Sequence, residues 1–290
     1  MSLPPDCDLT GSIARLFVHP VKSCAGIEVQ QALLTETGLQ WDRAWMVVDE
    51  QGDLLTQREL PRMALVLPQL QADALVLQAP GQAPLTVMFA ATGPVALVRV
   101  WSDKVWAWDM GDGAAQWFGD FLGQPCRLMR FDLTQRRLSS LEWTGGIDAP
   151  NQFADGFPLL VASMAGLDAL NAQLAAAGHH GVGMERFRPN LVLGGVDAHA
   201  EDWLDLLNID TGTPGGVQLQ PTKPCVRCPI PDIDPVSAER GTQVGEALYR
   251  YRRDARMDGA LTFGMNAIVR AGVGQVLRVG QRLGGHYRFD

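Results

Sequence analysis

The chain has 290 residues, 47% hydrophobic and 19% charged, the balance of a soluble globular protein with a sizeable core. A formal net charge of −8 and a pI near 5.1 disfavour nucleic acid as a partner, because a phosphate backbone requires a basic face. No stretch approaches the roughly 20 uninterrupted apolar residues of a membrane span, and residues 1–22 lack the pattern of a secretion signal. Five cysteines, an odd number, do not read as a disulfide framework, so the expectation is a cytoplasmic protein with no membrane partner.

In chain order, residues 13–18 form a short apolar run read as a strand. Ala44-Trp-Met-Val-Val-Asp49 ends at the turn Glu50-Gln-Gly-Asp53, the pattern of a hairpin with residues 54–57 returning. The runs 74–79, 85–89 and 95–100 follow, and Val105-Trp-Ala-Trp-Asp109 alternates as a half-buried strand does. The first helix is predicted over 114–122, with Asp112 as N-cap and Gly123 as its stop; Trp117, Phe118, Phe121 and Leu122 share a face that reads as core. Then come a strand at 126–130, a loop over 144–154 and a buried strand at 157–162. Ser163 caps a helix reaching about residue 177, with Leu167, Leu170 and Leu174 on one face and Gly178 ending it. Strands are expected at 191–193, 217–220, 267–270 and 274–280, and a helix over 246–253. Many short strands with few helices predict a mostly β fold with attached helices (α+β), as a barrel or sandwich.

Chemistry concentrates in Pro221-Thr-Lys-Pro-Cys-Val-Arg-Cys-Pro-Ile-Pro-Asp-Ile-Asp-Pro235. Five prolines in this stretch predict a stiff, irregular loop, neither helix interior nor central strand. Cys225 and Cys228 have Lys223 and Arg227 beside them, an environment that favours a thiolate nucleophile or metal ligand. Zinc would require further ligands, and no second CxxC or HxxxH supplies them. A dithiol redox pair should open a helix, whereas Pro229 and Pro231 follow here. A single reactive thiolate is preferred, with the other cysteine as a small buried hydrophobe.

Elsewhere the signals are weaker one by one. In Arg186-Phe-Arg-Pro-Asn190, Arg188 can hold a phosphate or carboxylate and Asn190 can read a heterocycle edge, although a solvated surface loop explains the same residues. Lys22-Ser23, after His19-Pro20, is either an anion site or a strand-end turn, and Asp42-Arg43 a local ion pair. Only three of the 24 basic residues are lysines: Lys22, Lys104 and Lys223. A GC-rich genome is the plain explanation, yet two of the three stand in these motifs, where a compact point charge has a use.

Taken in order, His19-Pro-Val-Lys-Ser-Cys24, Trp41-Asp-Arg-Ala-Trp45, Thr56-Gln-Arg-Glu59, Phe153-Ala-Asp-Gly-Phe-Pro158, Arg186-Phe-Arg-Pro-Asn190 and Cys225-Val-Arg-Cys228 with Asp234-Pro235 resemble the MOSC family. The similarity is to the branch with an N-terminal MOSC β-domain, which contains the mitochondrial amidoxime reducing component and bacterial relatives, and it covers residues 10–284. It implies a MOSC β-barrel over 131–290 and an N-terminal β-rich domain over 10–130 whose first strands can pair with the barrel. It implies a molybdenum cofactor (Mo-molybdopterin), with Cys228 as the metal ligand, since a soft thiolate suits a metal already held by dithiolene sulfur. Lys22, Ser23, Arg43, Asp155, Gly156, Phe157, Arg188, Asn190, Val226, Arg227 and Cys228 match the family's cofactor contacts. Val226 stands where some relatives have serine, which leaves only a backbone contact there. Cys228 and Asp155 are the catalytic residues this implies, Asp155 as a candidate proton donor.

The implied activity is that of a molybdenum-dependent oxidoreductase reducing small N-hydroxylated substrates: amidoximes, hydroxylamines or N-hydroxylated bases. No cysteine follows Cys228, so no iron–sulfur cluster is expected. Electrons would come from an external protein that is ferredoxin-, cytochrome b5- or flavoprotein-like, and no mitochondrial type of membrane anchor is expected. The alternative within the family is a sulfur carrier or cofactor-binding protein whose Cys228 forms a persulfide.

Overall fold

A computed structural model describes residues 6–288. Seven strands close on themselves: β1 (Leu9–Val18), β2 (Leu159–Ser163), β3 (Leu191–Gly194), β4 (Leu204–Ile209), β5 (Val217–Val226), β6 (Ala260–Ala271) and β7 (Arg282–Tyr287). They follow one another as β2-β3-β1-β7-β4-β5-β6, and β6 pairs back onto β2. Closure leaves the barrel without a free edge. Ile13, Leu16, Leu191, Leu193, Leu207, Leu219 and Leu283 fill the core and are fully buried. The parallel pair β2–β3 requires a crossover, and the helix Met164–Ala176 supplies it. That helix and the helix Gln243–Tyr251 cover Phe187, Val192 and Phe263 in a second apolar cluster.

The strand β1 lies inside the barrel, between β3 and β7. Other N-terminal strands build a separate four-stranded sheet of Trp45–Val48, Arg127–Phe131, Asp103–Asp109 and Val95–Val100. A three-stranded sheet of Leu67–Leu70, Ala74–Gln78 and Leu85–Met88 packs with the helix Asp112–Leu122 around Trp45, Phe118 and Phe121. The fold is thus mostly β with attached helices.

Several local expectations shift, each for a physical reason. Residues 54–57 do not return as a strand; Leu54 makes one bridge to Val48 and Thr56 then turns the chain. Gly111 is the first helix's N-cap, and Asp112 sits in its first turn, where a carboxylate favours the dipole. The helix expected at 246–253 is Gln243–Tyr251, because the distant Asp232 carboxylate accepts from Val244 N and Gly245 N and anchors its start.

The largest correction concerns the proline-rich segment. Its beginning is no loop: β5 runs through Pro221, Pro224 and Cys225 to Val226, paired with β6. Proline is tolerated because β4 pairs only with residues 217–219, so beyond them β5 has a partner on one side. Register shifts at Pro221/Lys223 and Pro224/Val226 absorb the missing donors as bulges.

At the end of β2, Ser163 Oγ accepts from His199 N at 3.2 Å and Gly166 N at 3.3 Å, next to the Asp202–Arg252 ion pair at 2.7 Å. Glu201 is fully buried there, and burial pushes its carboxyl from 4.5 up to about 7. The folded state therefore keeps a proton that the unfolded chain has released, and stability falls as pH rises through that window. His199, lowered by burial to about 4, acts in the opposite sense between about pH 4 and 6.5. The difference between wild type and Glu201→Gln isolates the carboxyl. Urea unfolding should show the wild type losing about 3 kcal/mol relative to this variant between pH 4.5 and 7. A constant difference would contradict the assignment.

Candidate functional site

A cavity of about 280 Å³ opens at one end of the barrel, near the small end of ligand-pocket sizes. Six cations line it, Lys22, Arg43, Arg58, Arg188, Lys223 and Arg227, against the single carboxylate of Asp155. A protein of net charge −8 has thus gathered a quarter of its basic residues around one hole. Such a field selects an anionic ligand.

Backbone hydrogen bonds knit the distant motifs into one wall. Arg43 N donates to His19 O at 2.8 Å, Trp45 N to Pro20 O at 3.0 Å, and Phe153 N to Arg43 O at 3.0 Å. Phe17 N donates to Asn190 O at 2.9 Å, and Asn190 N to Leu160 O at 2.8 Å. The buried Asp42 carboxylate accepts from His19 N at 2.8 Å and from Arg43 Nη1 at 2.5 Å. Arg43 also donates to Asn190 Oδ1 at 3.1 Å and Arg188 O at 2.9 Å, while Arg188 Nη1 reaches Cys24 O at 2.5 Å. Burial, reinforced by the nearby Arg43 charge, lowers the Arg188 guanidinium to about 10, and burial pushes the Cys24 thiol up to about 12. Ser23, Arg43, Trp101 and Arg188 line the cavity with left-handed backbone angles, half of the eight non-glycine residues so strained among the described residues. Strain of this kind collects where a surrounding structure holds side chains for use.

Lys22 is buried, donating to Phe153 O at 2.9 Å and to Asp155. Trp101 Nε1 donates to the same Asp155 oxygen at 3.1 Å. Arg58 lies 4.5 Å from the Trp101 ring centroid and Lys22 5.6 Å. The Asp155 side chain is 70% exposed, looking into the cavity's own solvent. The enclosing walls desolvate it, but the adjacent Lys22 ammonium outweighs them and holds its pKa well below the carboxylate range. Asp155 is therefore anionic at neutral pH, which is at odds with a proton-donor role; the proton at this point belongs to Lys22.

At the cysteine end, Cys228 follows β5 and lines the cavity together with Cys225. The Arg227 guanidinium donates to Cys225 Sγ at 3.0 Å and Phe187 O at 3.0 Å, so it orients Cys225 and not its other neighbour, Cys228. Arg186, outside the cavity, donates to Pro231 O at 3.2 Å and Asp234 Oδ2 at 2.7 Å, bracing the chain just beyond Cys228.

All the residues singled out from the sequence, Lys22, Ser23, Arg43, Asp155, Gly156, Phe157, Arg188, Asn190, Val226, Arg227 and Cys228, line this one cavity. Asn190 does so with its amide engaged: Oδ1 accepts from Leu160 N and Arg43, and Nδ2 donates to Phe17 O at 3.3 Å. Sequence reasoning missed Trp101, Arg58, Lys223 and Cys225 as lining residues. Arg58 lay in a recognised motif and Lys223 beside the cysteines, whereas Trp101 carried no local signal.

Residues 10–125 match the MOSC N-terminal beta barrel domain and residues 148–283 the MOSC domain. Human mitochondrial amidoxime-reducing component 1 is 34% identical over 234 residues, covering 78% of this chain and 67% of that protein. The chain belongs to the MOSC family. The mouse mitochondrial amidoxime-reducing component 1 is likewise 34% identical, over 78% of this chain and 66% of its own length. Bovine molybdenum cofactor sulfurase is 28% identical over 86% of this chain, which spans only 30% of that protein. This MOSC chain thus spans about two-thirds of the length of the amidoxime-reducing components it matches. Among the described residues no helix is long and apolar enough to cross a membrane.

The MOSC cavity suits the cofactor expected of it. Arg58 Nε and Arg227 Nε are buried donors without partners, as an acceptor-rich phosphate-bearing ligand would require. Among the described residues no three His, Cys, Asp or Glu side chains are grouped as a metal cage. Replacing Asn190 by leucine keeps the branching of the side chain but strands Leu160 N and frees Arg43. We expect a loss of about 3 kcal/mol in urea unfolding, against under about 1 kcal/mol for an exposed change such as Val236→Thr. Equal costs would show that Asn190 does not hold the wall.

Proposed function

We propose that this MOSC protein is a molybdenum-cofactor-dependent reductase of small N-hydroxylated compounds: amidoximes, hydroxylamines or N-hydroxylated bases. The observation that carries the reading is the six-cation cavity with Cys228 in its lining. The similarity to amidoxime-reducing components supports it. Lys22, Arg43, Arg58, Arg188 and Arg227 would neutralise the cofactor's phosphate and pterin acceptors, with Ser23, Gly156, Phe157 and Val226 in the wall around it. Asn190 would act through Arg43. Cys228 would supply the protein's thiolate to the metal, which is soft and already sulfur-bound. When bound, the cofactor supplies two-electron, oxygen-accepting chemistry; the protein supplies position and charge.

For an amidoxime the balance is two electrons and two protons taken up, the N–O bond broken, and an amidine and one water released. Lys22, hydrogen-bonded to the anionic Asp155 at the cavity wall, is the proton-bearing group we assign to this step. Trp101 and Arg58 present a flat surface beside it for a planar substrate. The electrons come from a separate ferredoxin-, cytochrome b5- or flavoprotein-like protein.

Purified protein should contain molybdenum and pterin in equal amount and reduce benzamidoxime to benzamidine with dithionite-reduced viologen. Cys228→Ala should lose molybdenum and turnover together, while Cys225→Ala should retain the metal. No turnover by metal-replete protein would sink the reductase reading. Metal-free protein with labile sulfane sulfur would assign it instead to sulfur transfer, the reading that the sulfurase similarity favours.

A further inference from the structure

The hairpin of Val95–Val100 and Asp103–Asp109 has two faces. Val98, Val100, Val105 and Ala107 point into the core. The outer face pairs Leu97 with Trp106 and Arg99 with Lys104. Leu97 and Trp106 are 45% and 47% exposed. A Leu–Trp pair side by side on one strand face presents joined apolar surface to solvent, the kind of surface that marks an interaction site. Arg99 directly opposite Lys104 puts like charges across a strand pair, which destabilises the hairpin. Arg99 is relieved in part by Asp53 at 3.1 Å, whereas Lys104 has no ion pair among the described residues.

The same hairpin reaches the cavity. Its turn residue Trp101 lines the cavity and donates to Asp155. Three strand steps separate the tip from the Leu97–Trp106 pair, about 10 Å at the usual rise. Lys104, the third lysine of the chain, is therefore the one that stands outside the cavity but on the element that walls it.

We infer that this outer face docks the electron donor: a small acidic one-electron carrier protein that seats its redox centre over the Trp106–Leu97 pair. Arg99 and Lys104 flank that pair and steer a negatively charged rim toward the hairpin tip. An aromatic centre beside basic residues matches the composition of binding hot spots, and a small, charge-steered contact suits a transient electron-transfer encounter. Two such encounters deliver the two electrons that cleavage of one N–O bond consumes. The inference rests on the reductase reading, which demands an external reductant.

The test drives the molybdenum-replete enzyme in parallel with dithionite-reduced viologen and with an acidic [2Fe–2S] ferredoxin held reduced by NADPH and ferredoxin reductase. Arg99→Glu/Lys104→Glu and Trp106→Glu should leave the viologen rate unchanged, since none of these residues lines the cavity. Each variant should lower the ferredoxin-driven kcat/KM at least tenfold. The wild-type rate should also fall with added salt, and the charge-reversed variant should lose that dependence. Wild type that is active with viologen but receives no electrons from ferredoxin overturns the inference, as does an equal ferredoxin-driven rate in the variants. A self-association broken by Trp106→Glu would assign the face to a second copy of the chain. Inactivity with both reductants would instead remove the reductase reading, a result distinct from any of these.

Discussion

The concentration of positive charge around one cavity is the constraint on which the rest of this structure depends. Six cations in close quarters repel one another, one carboxylate offsets only part of that repulsion, and the fold must hold them by other means. It does so by giving three of the four guanidiniums fixed acceptors, Asp42, Asn190 and Arg188 O for Arg43, Cys24 O for Arg188 and Phe187 O for Arg227, and by laying Arg58 over the Trp101 ring. Left-handed backbone angles at Ser23, Arg43, Trp101 and Arg188 are part of the same cost. A ligand rich in negative oxygen would convert that cost into binding energy, which is why the cavity reads as a preformed site.

The barrel explains how residues so far apart in the chain come to share it. β1 carries His19 and Lys22 at its end, β3 begins just after Asn190, and β5 ends at the cysteines. The N-terminal sheet contributes through Trp45, which accepts from Lys22 N and donates to Pro20 O, and through the tip residue Trp101. The site is therefore a joint product of the barrel and the β-rich region packed against it.

Much of this was legible in sequence. The closed set of polar motifs could be read because each is a run of unusual residues, and their order along the chain pointed to one family. The helices Asp112–Leu122 and Met164–Ala176 followed from their apolar faces and glycine stops. What failed was what depends on distant partners. Pro221 and Pro224 look like strand breakers until β4 is seen to stop short beside them. Asp155 looks like an acid until Lys22 is seen beside it. Arg227 looks like a neighbour of Cys228, yet its guanidinium turns to Cys225. Trp101 was invisible, since a lone exposed tryptophan in a hairpin turn has no motif.

The central claim is that the cavity holds a molybdenum centre through Cys228. X-ray absorption at the molybdenum edge tests it most directly, by counting sulfur neighbours in wild-type protein and in Cys228→Ser and Cys225→Ser variants that are loaded with cofactor. The account predicts one fewer sulfur in Cys228→Ser and an unchanged count in Cys225→Ser. An unchanged count in Cys228→Ser, or a loss in Cys225→Ser alone, would contradict it.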